Sequence, residues 1–201
     1  MYRIYPAVNF LTLSTTTFSS NFTKTLYLKT IFNEQQIALI IKRLAHQVLE
    51  NHIDLKDTVI IGMQPRGFYV SDKIVEEFKS NLQGKPFNYG ILDITFYRDD
   101  VRREIKVPNK TNINFSIENK KVILIDDVLY TGRTIRAALD ALLAFGRPAK
   151  VELCVLIDRR FSRQLPIQPD YTGKVIDALI TQKVKVLWKE KDAATEVIIT
   201  E

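Results

Sequence analysis

Thirteen consecutive residues, VILIDDVLYTGRT from Val122 to Thr134, hold two adjacent carboxylates, Asp126 and Asp127, followed by a loop of hydroxyls and a glycine. Carboxylates accept hydrogen bonds and bind hard cations, whereas hydroxyls and the amides opening a helix donate to anions. A ligand that satisfies both carries hydroxyls or a metal at one point and a phosphate close by. A ribose 5-phosphate has that layout, with its hydroxyls on Asp126 and Asp127 and its phosphate on Tyr130, Thr131, Gly132, Arg133 and Thr134. Taken alone, an Asp-Asp pair that caps the next helix, with TGRT as a polar turn, explains the same residues.

Such groups need elements to position them. The aliphatic run Val122–Ile125 predicts a buried strand whose carboxyl edge delivers the two acids, with a helix beginning in the Tyr130–Thr134 region and ending around Phe145–Gly146. Upstream, DTVIIG is a second strand, MQPRG a loop, and Ile74, Val75 and Phe78 mark a helix; a further strand is expected near Phe87–Phe96 and another at KVELCVLID. Asn33 with Gln36 three residues on is a capping box. It opens an amphipathic helix through Ile37, Ile41, Leu44 and Val48 that ends near Asn51. Aliphatic strands alternating with helices predict an α/β fold with a mostly parallel central sheet flanked by helices. No internal repeat is present.

The chain has 201 residues, enough for one substantial core, so residues 29–201 are expected to form a single domain. Residues 1–28 are rich in Ser and Thr, lack acidic residues and show no sustained period, and are expected to be a disordered or appended extension. No apolar run is long enough to cross a bilayer. The lone Cys154 lies in VELCVLID and is expected to be a buried small hydrophobe, which suits the reducing cytoplasm. A formal charge of +6 favours anionic partners without selecting one.

Aliphatic strand, double acid and T-G-x-T together resemble the phosphoribosyl-pyrophosphate (PRPP) signature of type I phosphoribosyltransferases. The resemblance implies that family's fold, a mostly parallel sheet with a small hood over the base site, and magnesium held indirectly through PRPP, with Asp126 and Asp127 as candidate ligands. It also demands a loop for the pyrophosphate leaving group, which IGMQPRG supplies through Gln64, Pro65 and Arg66, with Gly62 permitting close approach. A cis Gln64–Pro65 peptide is accessible because the trans preference before proline is only about 0.5–1 kcal/mol. LDITFYRDD at 92–100, GRPAKVELCVLIDRR at 146–160 and LPIQPDYTGK at 165–174 narrow the resemblance to the pyrimidine-operon attenuation regulators that are also uracil phosphoribosyltransferases.

That narrower resemblance implies transfer of phosphoribosyl from PRPP to uracil, giving UMP and pyrophosphate, and UMP-controlled binding of a messenger-RNA leader. It implies a homodimer or homohexamer without membrane association. Arg98 is expected in a mobile loop over pyrophosphate, and Asp158, Arg159, Tyr171 and Thr172 at the base, Tyr171 stacking on the flat ring. Asp158 stands where hypoxanthine-guanine enzymes usually place a lysine, which favours a pyrimidine; Asp177 stands where the regulators more often have proline, which leaves a purine open. Lys42, Arg43 and His46 share one arc of the first helix and, with Arg163 and Lys174, are the candidate RNA contacts, although D-R-G-H-R-E-L-P has become DRRFSRQLP. A purine transferase and a non-catalytic nucleotide sensor that binds RNA are the alternative functions.

Overall fold

The computed structural model describes residues 28–97 and 110–200. Five strands, β2 (Thr58–Met63), β3 (Asn88–Leu92), β4 (Lys121–Leu129), β5 (Lys150–Arg159) and β6 (Tyr171–Ile176), form an all-parallel sheet in the order β3-β2-β4-β5-β6. Successive side chains leave a strand on opposite faces, so its aliphatic runs feed two cores. Ile60, Ile123 and Cys154 join α1 (Glu34–Asn51) and α2 (Gly67–Asn81) on one face, while Val59, Ile61, Val122 and Leu124 join α3 (Arg133–Leu142) on the other. Each fully buried Ile or Leu contributes roughly 1.5–3 kcal/mol, which makes the uninterrupted VIIG and VILI runs the anchors of the fold.

The order of strands fixes where a ligand can enter. From β2 the chain winds outward to β3 on one side, then crosses to β4 on the other. The loop after β2 leads into α2 on one face and the loop after β4 into α3 on the opposite face. Two adjacent loops that part in this way open a crevice at the carboxyl edge. The aspartates and the Pro-Arg-Gly loop flank that crevice.

A second, three-stranded antiparallel sheet of β1 (Leu28–Phe32), β8 (Glu196–Thr200) and β7 (Lys183–Leu187), in that order, forms the small hood. Val184, Val186, Trp188 and Val197 are buried in the same core as α1 and α2, so the hood is continuous with the body.

The capping box is present: Asn33 Oδ1 accepts the Gln36 N–H at 3.0 Å and Gln36 Oε1 accepts the Asn33 N–H at 3.0 Å, and α1 ends at Asn51 as its period predicts. Two boundaries differ from expectation. β4 continues through both aspartates to Leu129, while α3 begins at Arg133, inside the expected Tyr130–Thr134 region. The parallel partner β5 reaches Arg159 and extends the ladder, pairing Asp126 with Val155 and Leu129 with Asp158. Strand β3 is shorter than expected, closing at Leu92 before a 3-10 turn at Thr95–Tyr97. No helix of the described residues is long and apolar enough to cross a membrane.

Candidate active site

Asp126 is buried and Asp127 half-buried, and each is oriented by the next peptide: Asp126 Oδ1 accepts the Asp127 N–H at 2.9 Å, and Asp127 Oδ1 the Val128 N–H at 2.8 Å. Burial pushes the Asp127 carboxyl up, opposed by the Val128 amide and by the positive charge of Arg66. Gly67, the first residue of α2, packs against this point. A Cβ there would lie 2.8 Å from both Asp126 Cα and the Ile125 carbonyl, so only glycine lets α2 start beside the acids.

Beyond the acids the chain turns through Tyr130–Gly132 into α3. Gly132 caps the helix at φ +91°, a conformation that side chains disfavour, and the first intrahelical bond runs from Arg136 N–H to the Gly132 carbonyl. The amides opening α3 therefore have no acceptor within the helix. Asp126, Tyr130, Thr131, Gly132, Arg133 and Thr134 line one cavity of about 350 Å³. Carboxylates at one end and helix-start amides at the other are the layout a ribose 5-phosphate needs.

Across the crevice, Gln64–Pro65 is a cis peptide and the Gln64 N–H donates to the Leu92 carbonyl at 2.9 Å. Arg66 caps α2 and donates to the Val186 carbonyl at 2.6 Å and to Asp192 Oδ2 at 3.0 Å, both in the hood region. Its guanidinium thus joins the leaving-group loop to the hood. Arg98 lies outside the described residues.

At the base end the structure corrects the sequence. Tyr171 begins β6 opposite Cys154, in the middle of β5, and its buried hydroxyl points back to the amino end of that strand, donating to Glu152 Oε2 at 2.8 Å. Six residues of β5, about 20 Å at 3.3 Å per residue, separate Glu152 from Asp158 at the carboxyl edge. Tyr171 therefore cannot stack on a base there. The carbonyls of Thr172 and Gly173 accept from the Arg43 guanidinium and do not read an amide edge. Asp158 is paired with Arg163, so its carboxylate is not presented to a base, and no lysine stands at this position to meet a purine oxygen.

Arg159 is the residue at the carboxyl edge that faces elsewhere. It is 3% exposed, lies 4.0 Å over the Tyr130 ring and donates to the carbonyls of Leu179 (3.3 Å) and Gln182 (3.0 Å), while its Nε has no hydrogen-bond partner among the described residues. Burial depresses its basicity below the usual arginine range. Sequence reasoning missed the loop it holds, in which Leu179 and Ile180 are 67% and 80% exposed. Two apolar residues in the segment that follows a parallel strand's carboxyl end were the available signal.

Lys42, Arg43 and His46 are exposed on one side of α1, as their spacing predicts, and Lys174 is exposed on β6. Arg43 and Lys174 line one shallow groove with Phe32, Gln36, Leu39 and Ile40. Arg163 differs. Its half-buried guanidinium turns inward to Asp158 and to the Tyr130 carbonyl, so the structure does not present it as a surface cation. In the altered segment before it, Phe161 sits at φ +63° and is 80% exposed.

A magnesium ion fits only as a shared ligand. Among the described residues no three His, Cys, Asp or Glu side chains converge on a metal position, whereas Asp126 and Asp127 supply the one or two carboxylates that magnesium takes alongside substrate oxygens. Cys154 is buried and its thiol is pushed up to about 12 by burial, which removes it from nucleophilic chemistry.

Comparison with known proteins agrees with this geometry. The family described as "Phosphoribosyl transferase domain" matches residues 28–190. Proteins named "Bifunctional protein PyrR" from Desulfosudis oleivorans and Acetivibrio thermocellus are 43% identical over 171 residues and 44% identical over 173. They cover 84% and 85% of this chain, and 94% and 93% of those relatives. A hypoxanthine phosphoribosyltransferase structure from Staphylococcus aureus superposes with TM-score 0.63 at 22% identity, covering 85% of this chain and 90% of that one, a likeness of fold alone.

Proposed function

The chain belongs to the phosphoribosyl transferase domain family and to its PyrR branch, and from that premise we propose that it transfers phosphoribosyl from PRPP to uracil, releasing pyrophosphate. The observation that carries this reading is one crevice in which Asp126 and Asp127 stand beside the amides opening α3, with Arg66 and the cis Gln64–Pro65 loop opposite.

In the reaction the bond from the ribose C1 to pyrophosphate breaks as a bond from uracil N1 forms, the N1 proton is taken up by the departing pyrophosphate, and positive charge builds on the ribose. Most of the catalysis is positioning and electrostatics. Asp126 and Asp127 hold the ribose hydroxyls and face the developing positive charge. Thr131–Thr134 hold the 5-phosphate, and Arg66, at the end of the cis Gln64–Pro65 loop, meets the leaving group, the Gln64 N–H being engaged by the Leu92 carbonyl and Pro65 having none. Asp126 and Asp127, together with PRPP oxygens, would hold magnesium, which would supply neutralisation of the charge on the leaving group. Arg159 holds the Leu179–Ile180 loop at the position of the base, and that loop supplies apolar cover.

The PyrR relatives are called bifunctional, and the second activity we propose is nucleotide-responsive binding of RNA by the exposed face of Lys42, His46 and Lys174. A cytoplasmic setting accords with the buried, unpaired Cys154.

Release of pyrophosphate from PRPP and magnesium, with uracil, hypoxanthine and guanine offered separately, tests the reading. Turnover with uracil alone is expected. Turnover with a purine alone would replace the substrate, and binding of UMP without any turnover would make the protein a sensor.

A further inference from the structure

The segment at residues 163–167 makes contacts that a mere connection between β5 and β6 does not need. The Arg163 guanidinium donates to the Tyr130 carbonyl and, through its other terminal nitrogen, to buried Asp158. The amides of Gln164 and Leu165 both donate to the Thr131 carbonyl, at 3.0 and 3.3 Å, and Gln164 Oε1 accepts from Arg133 Nε at 2.8 Å. Ile167 and Leu165 close over Gly132, where a Cβ would lie 3.2 Å from Ile167 Cδ1.

Peptide planarity gives these bonds a consequence. In a trans peptide the carbonyl of one residue and the N–H of the next point in opposite directions. Arg163, which holds the Tyr130 carbonyl, is not among the residues that line the cavity, so the Thr131 N–H that opposes this carbonyl faces the cavity side, and two donors on the Thr131 carbonyl fix the orientation of the Gly132 N–H. The bond from Arg163 keeps the Tyr130 carbonyl oxygen, which would repel a phosphate, turned toward the arginine. Left to itself, a glycine-containing loop samples many conformations, and ordering it would fall to the ligand.

We propose that Arg163, oriented by Asp158, is a positioning residue for the 5-phosphate: it fixes the peptide that presents the Thr131 amide, with Gln164 and Leu165 doing the same for Gly132. The inference rests on the phosphoribosyl reading of the site. It assigns to phosphate recognition an arginine whose guanidinium is engaged by the Tyr130 carbonyl and Asp158, and it makes Asp158 the support of that arginine.

Arg163→Met removes the donors while keeping the length of the side chain, and Arg163→Lys restores one donor. In both variants the KM for PRPP and inhibition by ribose 5-phosphate are compared with inhibition by pyrophosphate, the KM for uracil and the melting temperature. Arg163→Met should raise the PRPP KM and weaken ribose 5-phosphate by about tenfold. Pyrophosphate inhibition and the uracil KM should stay within about twofold, and Arg163→Lys should recover part of the loss. Unchanged ribose 5-phosphate inhibition overturns the proposal, and so does an equal loss of ribose 5-phosphate and pyrophosphate, which would signal general collapse. If the wild-type chain does not use uracil, calorimetric binding of ribose 5-phosphate to the wild type and to Arg163→Met still decides it. A selective loss there leaves the proposal standing while the substrate reading falls, and a wild type that binds no ribose 5-phosphate overturns both.

Discussion

Two polar clusters occupy opposite ends of one parallel sheet, and they are built on opposite terms. Near the amino end, Glu152 is saturated: His52 lies 2.8 Å from Oε2, the Tyr171 hydroxyl donates to the same oxygen at 2.8 Å and Lys150 to Oε1 at 2.7 Å, while Thr58 meets the other His52 nitrogen at 3.0 Å. At the carboxyl edge, Asp126 lines a cavity with the start of α3, and the loop between them is held by Arg163 and by the Gln164 and Leu165 amides. A cluster whose donors and acceptors satisfy one another supports the fold. One whose polar groups line a cavity is arranged for a ligand, and of the two the sequence singled out only the carboxyl-edge cluster, through the double acid and the T-G-x-T after it.

Breaking the carboxyl-edge cluster should cost activity and spare stability. Asp126→Asn combined with Asp127→Asn is expected to lower turnover by about 100-fold or more while the melting temperature stays near that of the wild type. A chain that unfolds with this change would place the acids among the structural groups. The amino-end cluster should behave in reverse. Glu152→Ala leaves His52, Tyr171 and Lys150 without their shared acceptor and should destabilise by about 2–4 kcal/mol in denaturant unfolding, with the PRPP KM unchanged.

Acid sharpens the same contrast. Burial alone would raise the Glu152 carboxyl, but bonds from Lys150, His52 and Tyr171 hold it down to about 2. A carboxylate depressed in the folded state supplies stability that is complete above its unfolded value, near 4.5, and is lost as pH falls toward about 2. Glu152→Gln should therefore flatten the acid limb of a stability-against-pH curve between those values. An unchanged limb would assign acid lability to another group.

A smaller effect is expected from Tyr171→Leu, which removes the ring and its bond to Glu152. Unfolding should become easier by about 1–2 kcal/mol while the uracil KM moves less than about twofold; a tenfold rise would return Tyr171 to the base site. The smallest effect belongs to the exposed arc of α1. Lys42→Ala with His46→Ala should leave turnover unchanged and reduce the salt slope of leader-RNA binding by about one to two phosphate contacts. An unaltered slope would remove this face from RNA recognition.

Much of this protein was determined by the sequence alone, because the signals are local. The Asn33–Gln36 box set the start of α1, aliphatic runs set β2, β4 and β5, and acids followed by Tyr-Thr-Gly-Arg-Thr marked the residues that line the cavity at the carboxyl edge. The carboxyl-edge rule then brought the Pro-Arg-Gly loop to the same crevice. The partners of individual side chains were decided only by the tertiary structure. Arg66 met the hood, Arg163 met Asp158 and the Tyr130 carbonyl, and Arg43 met the carbonyls of Thr172 and Gly173. Tyr171 shows why. Whether an aromatic residue at a strand's start lies near a ligand depends on which residue of the neighbouring strand it pairs with, and pairing with Cys154 put its hydroxyl beside Glu152 at the far end of the sheet. Register and crossover join residues distant in sequence, and local periodicity carries no information about them.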